Sequence, residues 1–191
     1  MSDGMTRGDI ITRLARAAIA RHLGISFDEP ASPEADWLQE QAATFVTLQM
    51  QGNLRGCIGT LEARRSLLED VRANAIAAAF HDSRFPPLNA GEFAHVQIEV
   101  SVLSVPEAMH ARSEAIACSR LRPGIDGVVI KFGAHRATFL PQVWDQLPEP
   151  KDFMAHLKVK AGLAVNFWHP ELLLYKYQVH KYREHEDASS E

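Results

Sequence analysis

At 191 residues, 46% hydrophobic and 23% charged, the chain has the length for one domain or two small lobes sharing a core, and too much apolar content for disorder. Twenty Lys and Arg against 24 Asp and Glu leave a net charge of −4, which argues against a dedicated nucleic-acid binder, because neutralising phosphates calls for a basic excess. Two cysteines, Cys57 and Cys118, are too few for a disulfide scaffold and point to reduced thiols in a cytoplasmic protein, and no apolar run approaches the length of a signal peptide core or a membrane span.

Thr6 before Asp9, with apolar residues at Ile10, Leu14, Ala17 and Ala18, predicts an amphipathic helix over 7–22 that stops at Gly24. The Pro- and Asp-bearing stretch 27–33 then predicts a surface loop. From Phe45 the pattern turns to short β-type runs, Phe45 to Gln49 and Leu54 to Thr60, read as a hairpin around a Gly52-Asn53 turn. Ser66 three residues before Glu69 forms a capping box that opens a helix over 67–82, broken at Arg84-Phe85-Pro86-Pro87.

Residues 94–104 alternate, with Val96, Ile98, Val100 and Val102 on one face and Gln97, Glu99, Ser101 and Leu103 on the other. A second hairpin follows from 127–132 and 136–140 around Gly133-Ala134, then a helix over 151–161 and a last strand over 172–179. The polar tail 184–191 is expected to fray. Hairpins and helices interleave without a strand-helix-strand rhythm, so the predicted class is α+β, with largely antiparallel sheets and flanking helices.

The segment Leu54-Arg55-Gly56-Cys57-Ile58-Gly59-Thr60 carries the richest chemistry. Strict alternation puts Arg55, Cys57 and Gly59 on one face, so a fixed cation stands beside the thiol and favours its thiolate. Cys57 is then a candidate nucleophile, redox centre or soft ligand; the alternative is a small packed hydrophobe among glycines that only permit a bulge or close packing. Cys118 reads as a packing residue.

His81-Asp82-Ser83-Arg84 forms a second group at the predicted helix end, where the macrodipole favours a protonated histidine. His81 is a candidate acid or base and Arg84 a candidate anion clamp, against the alternative of a capped helix end with a solvated arginine. Glu99, sharing a face with Gln97 and Ser101, needs a cationic partner if that face is covered, and Arg55 is one candidate. Nine histidines show no metal-ligand spacing: His180 and His185 lie five apart, and neither a dinucleotide nor a phosphate-loop pattern occurs. No cofactor is indicated.

Taken together, these segments resemble the AMMECR domain family, also called AmmeMemoRadiSam system protein A. The resemblance rests on Phe45-Val46-Thr47-Leu48, Leu54 to Leu61, His81 to Leu88, Ile98 to Ser104, Asp126-Gly127, Leu140 to Val143, Leu157 to Leu163 and Trp168, in order along nearly the whole chain. Where the family has a proline, this chain has Ser83.

The resemblance implies a single AMMECR-type domain over 1–191 with two unequal lobes, the larger built around 45–104 and the smaller toward the C-terminus. It also implies that Arg55, Cys57, His81, Arg84 and Glu99 line one cleft. Catalytic candidates are therefore Cys57, His81 and Glu99, and substrate-binding candidates are Arg55, Arg84, Gly56, Gly59 and Ser101. The family has no settled activity, but its association with Memo-like and radical-SAM proteins implies these as partners. Three functional expectations follow. One is a thiol-dependent enzyme or enzyme subunit acting on a small substrate; the second is a non-catalytic scaffold for those partners, with Arg84 and exposed aromatic residues such as Trp144 or Trp168 as interface anchors; the third, ranked last because of the acidic balance, is nucleic-acid binding.

Overall fold

The structure is a computed structural model that describes residues 5–30 and 35–184. It is α+β, and the chain divides into two compact units, one formed by residues up to 103 together with those from 180 onward, the other by residues 104–179. The tail expected to fray over 184–191 lies outside the described residues except at Glu184.

The first unit opens with α1 (Arg7–Leu23), capped reciprocally by Thr6 and Asp9 and ended by Gly24 in the left-handed region. After a short helix α2 (Asp36–Gln39), β1 (Gln41–Met50) and β2 (Asn53–Gly59) form an antiparallel hairpin. Gln51 and Gly52 both take positive φ, so the turn lies one residue earlier than the expected Gly52-Asn53, in the paired left-handed geometry that matches strand twist. A two-residue β3 (Arg65–Ser66) leads into α3 (Leu67–Phe80), which carries the expected Ser66–Glu69 capping box and ends two residues short of expectation. The four-residue α4 (Ala90–Phe93) precedes β4 (Val96–Leu103).

The sheet order is β2-β1-β4-β9, with β3 paired to β1 and β9 covering Val179–Arg183. The expected single last strand is therefore two, β8 (Leu173–Tyr177) and β9, parted at Gln178, because the run serves a different sheet on each side of that residue. Ile11, Leu14 and Ile19 of α1 and Val71, Ala75 and Ala78 of α3 share a core with Val46, Leu48, Ile98 and Val100 of the sheet. Each fully buried Leu, Ile or Val contributes about 1.5–3 kcal/mol, and the alanines let helix and strand backbones approach. Glu184 is no frayed residue: its carboxylate accepts from Arg16 and from the Ile98 backbone N–H at 2.9 Å, while its own N–H donates to the Ile98 carbonyl.

The second unit holds an antiparallel sheet in the order β5-β8-β6-β7, with β5 at Glu107–Ala108, β6 at Gly127–Phe132 and β7 at His135–Phe139. Helices α5 (Glu114–Ser119) and α6 (Pro150–Lys160) and a 3-10 turn over Pro141–Asp145 complete it. Trp144 stacks on Phe153 at 3.8 Å and is buried, and Trp168 is half-buried against the same core. The expectation that these tryptophans are exposed anchors is thus corrected. Cys118 packs against this core, and burial with the nearby Glu114 raises its thiol pKa. Ser104 and Gln178 bracket the unit: Ser104 N–H donates to the Gln178 carbonyl at 2.8 Å, and Gln178 N–H to the Ser104 hydroxyl at 2.9 Å.

Candidate functional site

The glycine-rich segment forms β2, the edge strand of the first sheet. Its register against β1 slips between Leu48 and Gln49, so that Gly56 opposes Leu48, Leu54 opposes Gln49, and Arg55 is the extra residue of a bulge. The bulge breaks the alternation on which the expected Arg55–Cys57 pairing depended. Arg55 is buried and donates through Nε and Nη2 to Glu92 of α4 at 3.0 and 2.9 Å, leaving Nη1 buried without a partner. That fork holds the Glu92 carboxyl below its ordinary pKa.

Cys57 lies opposite Thr47, whose hydroxyl donates to the sulfur at 3.3 Å. Thr47 in turn lies opposite Glu99 on β4. Cys57, Thr47 and Glu99 therefore form one row across three strands, and the next row joins Gly59, Phe45 and Ser101. Two strand spacings separate the ends of a row by roughly 10 Å, so Glu99 does not reach the thiol directly. Its carboxylate is instead paired with Arg183 and, at 3.8 Å, with Lys181, both on β9. Arg55 is thus not its cation.

The outward backbone groups of Cys57 meet an ion pair rather than another strand. Cys57 N–H donates to Asp82 Oδ2 at 2.9 Å, and its carbonyl accepts from Arg84 Nη2 at 3.3 Å. Asp82, buried just beyond α3, also accepts from Arg84 N–H, Nε and Nη2 at 3.1, 2.9 and 2.7 Å. A carboxylate and a guanidinium thus stand in for the acceptor and donor of a neighbouring strand, closing a free edge that would otherwise invite pairing with another chain. The Arg84 hydrogen bonds drive the Asp82 carboxyl far below the ordinary carboxylate range, outweighing the opposing effect of burial. Arg84 keeps a side chain 55% exposed despite this tether. Its guanidinium and that of Arg55 lie 5.5 and 5.9 Å from the Phe85 ring centre.

The two glycines are filled by protein. A β-carbon on Gly56 would stand 2.2 Å from the Ala78 carbonyl oxygen of α3, and one on Gly59 would stand 2.3 Å from the Phe45 ring. Ser101 is buried opposite Phe45. His81 is exposed and caps α3 through its backbone, its imidazole bonded to neither Cys57 nor Glu99. The structure thus brings Cys57, Arg84 and Glu99 to one region of the sheet, ties Arg55 to α4, and leaves His81 outside any hydrogen-bonded relay. Sequence reasoning missed Thr47, Glu92 and the β9 cations. The Asn89-x-x-Glu92 capping pattern was the one available signal for Glu92. Among the described residues, no three His, Cys, Asp or Glu gather to hold a metal, and no helix is long and apolar enough to cross a membrane.

The AMMECR1 family model matches residues 12–182. A protein of Methanothermobacter thermautotrophicus is 36% identical over 188 residues, covering 95% of both chains. Protein MJ0810 of Methanocaldococcus jannaschii is 33% identical, covering 94% of this chain and 91% of its own. The crystal structure of the uncharacterized protein PH0010 from Pyrococcus horikoshii superposes with a TM-score of 0.73 at 31% identity, covering 93% of this chain and 91% of that one. With a bulged glycine-rich edge strand, a family model that spans both units and relatives matched almost end to end, the chain belongs to the AMMECR1 family.

Proposed function

We propose that this chain is a non-catalytic binding module whose β2 rim presents Arg84 to an acidic group on a Memo-like or radical-SAM partner. The observation that carries this reading is the state of Arg84: its side chain is more than half exposed, yet its orientation is set by two side-chain bonds to buried Asp82 and one to the Cys57 carbonyl. An exposed guanidinium held in place beside an aromatic ring loses little conformational entropy on binding and suits an interface anchor. The other polar groups of the motif, Arg55 and the Cys57 backbone, are engaged within the chain, and its glycines are filled by protein. Capture of the two partners by the full chain tests the reading. Arg84→Ala is expected to weaken capture about tenfold, within the range for a truncated anchor, while Cys57→Ala leaves it intact; capture unaffected by Arg84→Ala refutes it.

One observation favours a second reading, in which Cys57 performs thiol chemistry on a small substrate: the sulfur is only half-buried and accepts from Thr47. A thiolate needs a base or an uncommitted cation, and Arg55 and Arg84, the two arginines of the motif, are committed to Glu92 and Asp82. Iodoacetamide kinetics against pH separates the readings. The binding module predicts a Cys57 no faster than a model thiol across the range; a rate plateau reached well below pH 8 assigns thiol chemistry instead.

A further inference from the structure

The second unit contains a cavity of about 370 Å³ lined by Ser104, Glu107, Arg122, Asp126, Lys176, Tyr177 and Gln178. Asp126, the residue of the Asp-Gly pair that the proposed function does not use, is fully buried at its edge. Its carboxylate accepts from Arg122 N–H at 2.9 Å and Nη2 at 2.7 Å, so the guanidinium is set in position while its side chain remains 49% exposed. Lys176 stands 4.0 Å from the same carboxylate, beyond hydrogen-bond distance. Among the described residues, the Lys176 ammonium and Arg122 Nη1 have no hydrogen-bond acceptor, and neither the Gln178 amide nor the Ser104 hydroxyl donates a proton.

We infer that this cavity binds a small polar ligand through an oxyanion, a phosphate or a carboxylate. Two cations share one buried carboxylate, which leaves donors aimed at the space without acceptors, and a charged acceptor completes both. The volume is within the range of small-molecule sites, and the polar walls favour a hydrophilic ligand over an apolar one. The floor is fixed: the Tyr177 hydroxyl donates to the Phe139 carbonyl at 3.1 Å, and the ring rests on Gly127, where a β-carbon would come within 2.3 Å of it. Glu107 of β5, opposite Lys176, is the exposed carboxylate among the described lining residues and acts on Arg122 without a hydrogen bond. The site therefore admits an oxyanion against a single exposed carboxylate, and removing that carboxylate strengthens the site.

The test is a titration of the full chain with inorganic phosphate, with citrate as the carboxylate arm, followed by amide NMR shifts at ionic strength held constant with sodium chloride. Saturable shifts confined to Ser104, Arg122 to Gly127 and Lys176 to Gln178 are expected with at least one anion, and the tighter of the two names the headgroup. Lys176→Met, checked for an otherwise unchanged spectrum, is expected to weaken binding about tenfold, and Glu107→Gln to tighten it a few-fold. Shifts that never saturate, that spread over other basic residues, that survive Lys176→Met, or that weaken in Glu107→Gln each overturn the proposal.

Discussion

Asp82 and Asp126 are built alike and do different work. Each is a buried carboxylate that takes a guanidinium fork from an arginine two to four residues away and that arginine's backbone N–H as well, leaving the arginine about half exposed. Asp126 closes a local turn of the second unit, and its own carbonyl accepts from the Trp144 indole at 2.7 Å. Asp82 reaches 25 residues back to the Cys57 N–H and so fastens an edge strand to the end of α3. The same device is a turn clasp in one unit and a strand-edge closure in the other. What distinguishes them is the sequence span of the backbone group that the carboxylate serves.

The largest expected effect follows from that span. Asp82→Ala strips a charged acceptor from two backbone donors and should cost about 4 kcal/mol, against about 2 kcal/mol for Asp126→Ala, which strips one. Urea unfolding measures both, and equal losses would break the comparison. Hydrogen exchange sharpens it, because the Cys57 amide should lose protection in Asp82→Ala alone.

Glycine packing gives the next contrast. Gly56→Ala drives a β-carbon into the Ala78 backbone carbonyl and should cost about 3 kcal/mol, whereas Gly127→Ala meets a side-chain ring, that of Tyr177, rather than backbone and should cost about 1.5 kcal/mol.

Acid comes third. The folded-state pKa of Asp82 is depressed, so its contribution is complete above the unfolded carboxylate range near pH 4 and is lost as pH falls through and below that range. The urea midpoint should therefore decline from about pH 5 downward, and more shallowly in Asp82→Asn. A slope unchanged by that substitution would mean that other carboxylates set the acid limit. The smallest effect is the exchange of the fork for a point charge. Arg84→Lys should lower the urea midpoint slightly and Arg122→Lys by less, because only the first also loses a bond to a distant strand.

Local chemistry in the sequence predicted local structure well. Thr6–Asp9 and Ser66–Glu69 announced α1 and α3 because a capping box needs only residues three apart. The Asp-Ser-Arg run after α3 pointed to a cluster that the structure builds, although the buried carboxylate Asp82 rather than His81 is its centre. Arg55 was misplaced because alternation assumes an unbroken ladder, and a bulge depends on the partner strand, which a single segment does not display. The cations of Glu99 lay 82 and 84 residues ahead, past the end of the predicted last strand at Val179. Nothing in the spacing marks Gln178 as the point where the chain leaves one sheet for another.

The bonded pair Ser104 and Gln178 has a consequence for the order in which this protein is made. The larger unit is interrupted in the sequence by the whole of the smaller one, and its fifth strand, β9, ends at Arg183. On the ribosome, the smaller unit has all its strands once Tyr177 has emerged, while the sheet that carries Cys57 still lacks an edge. Glu99 waits for Lys181 and Arg183, and Arg16 for Glu184, until the smaller unit has already been made. The larger unit, begun before the smaller one, is therefore completed after it.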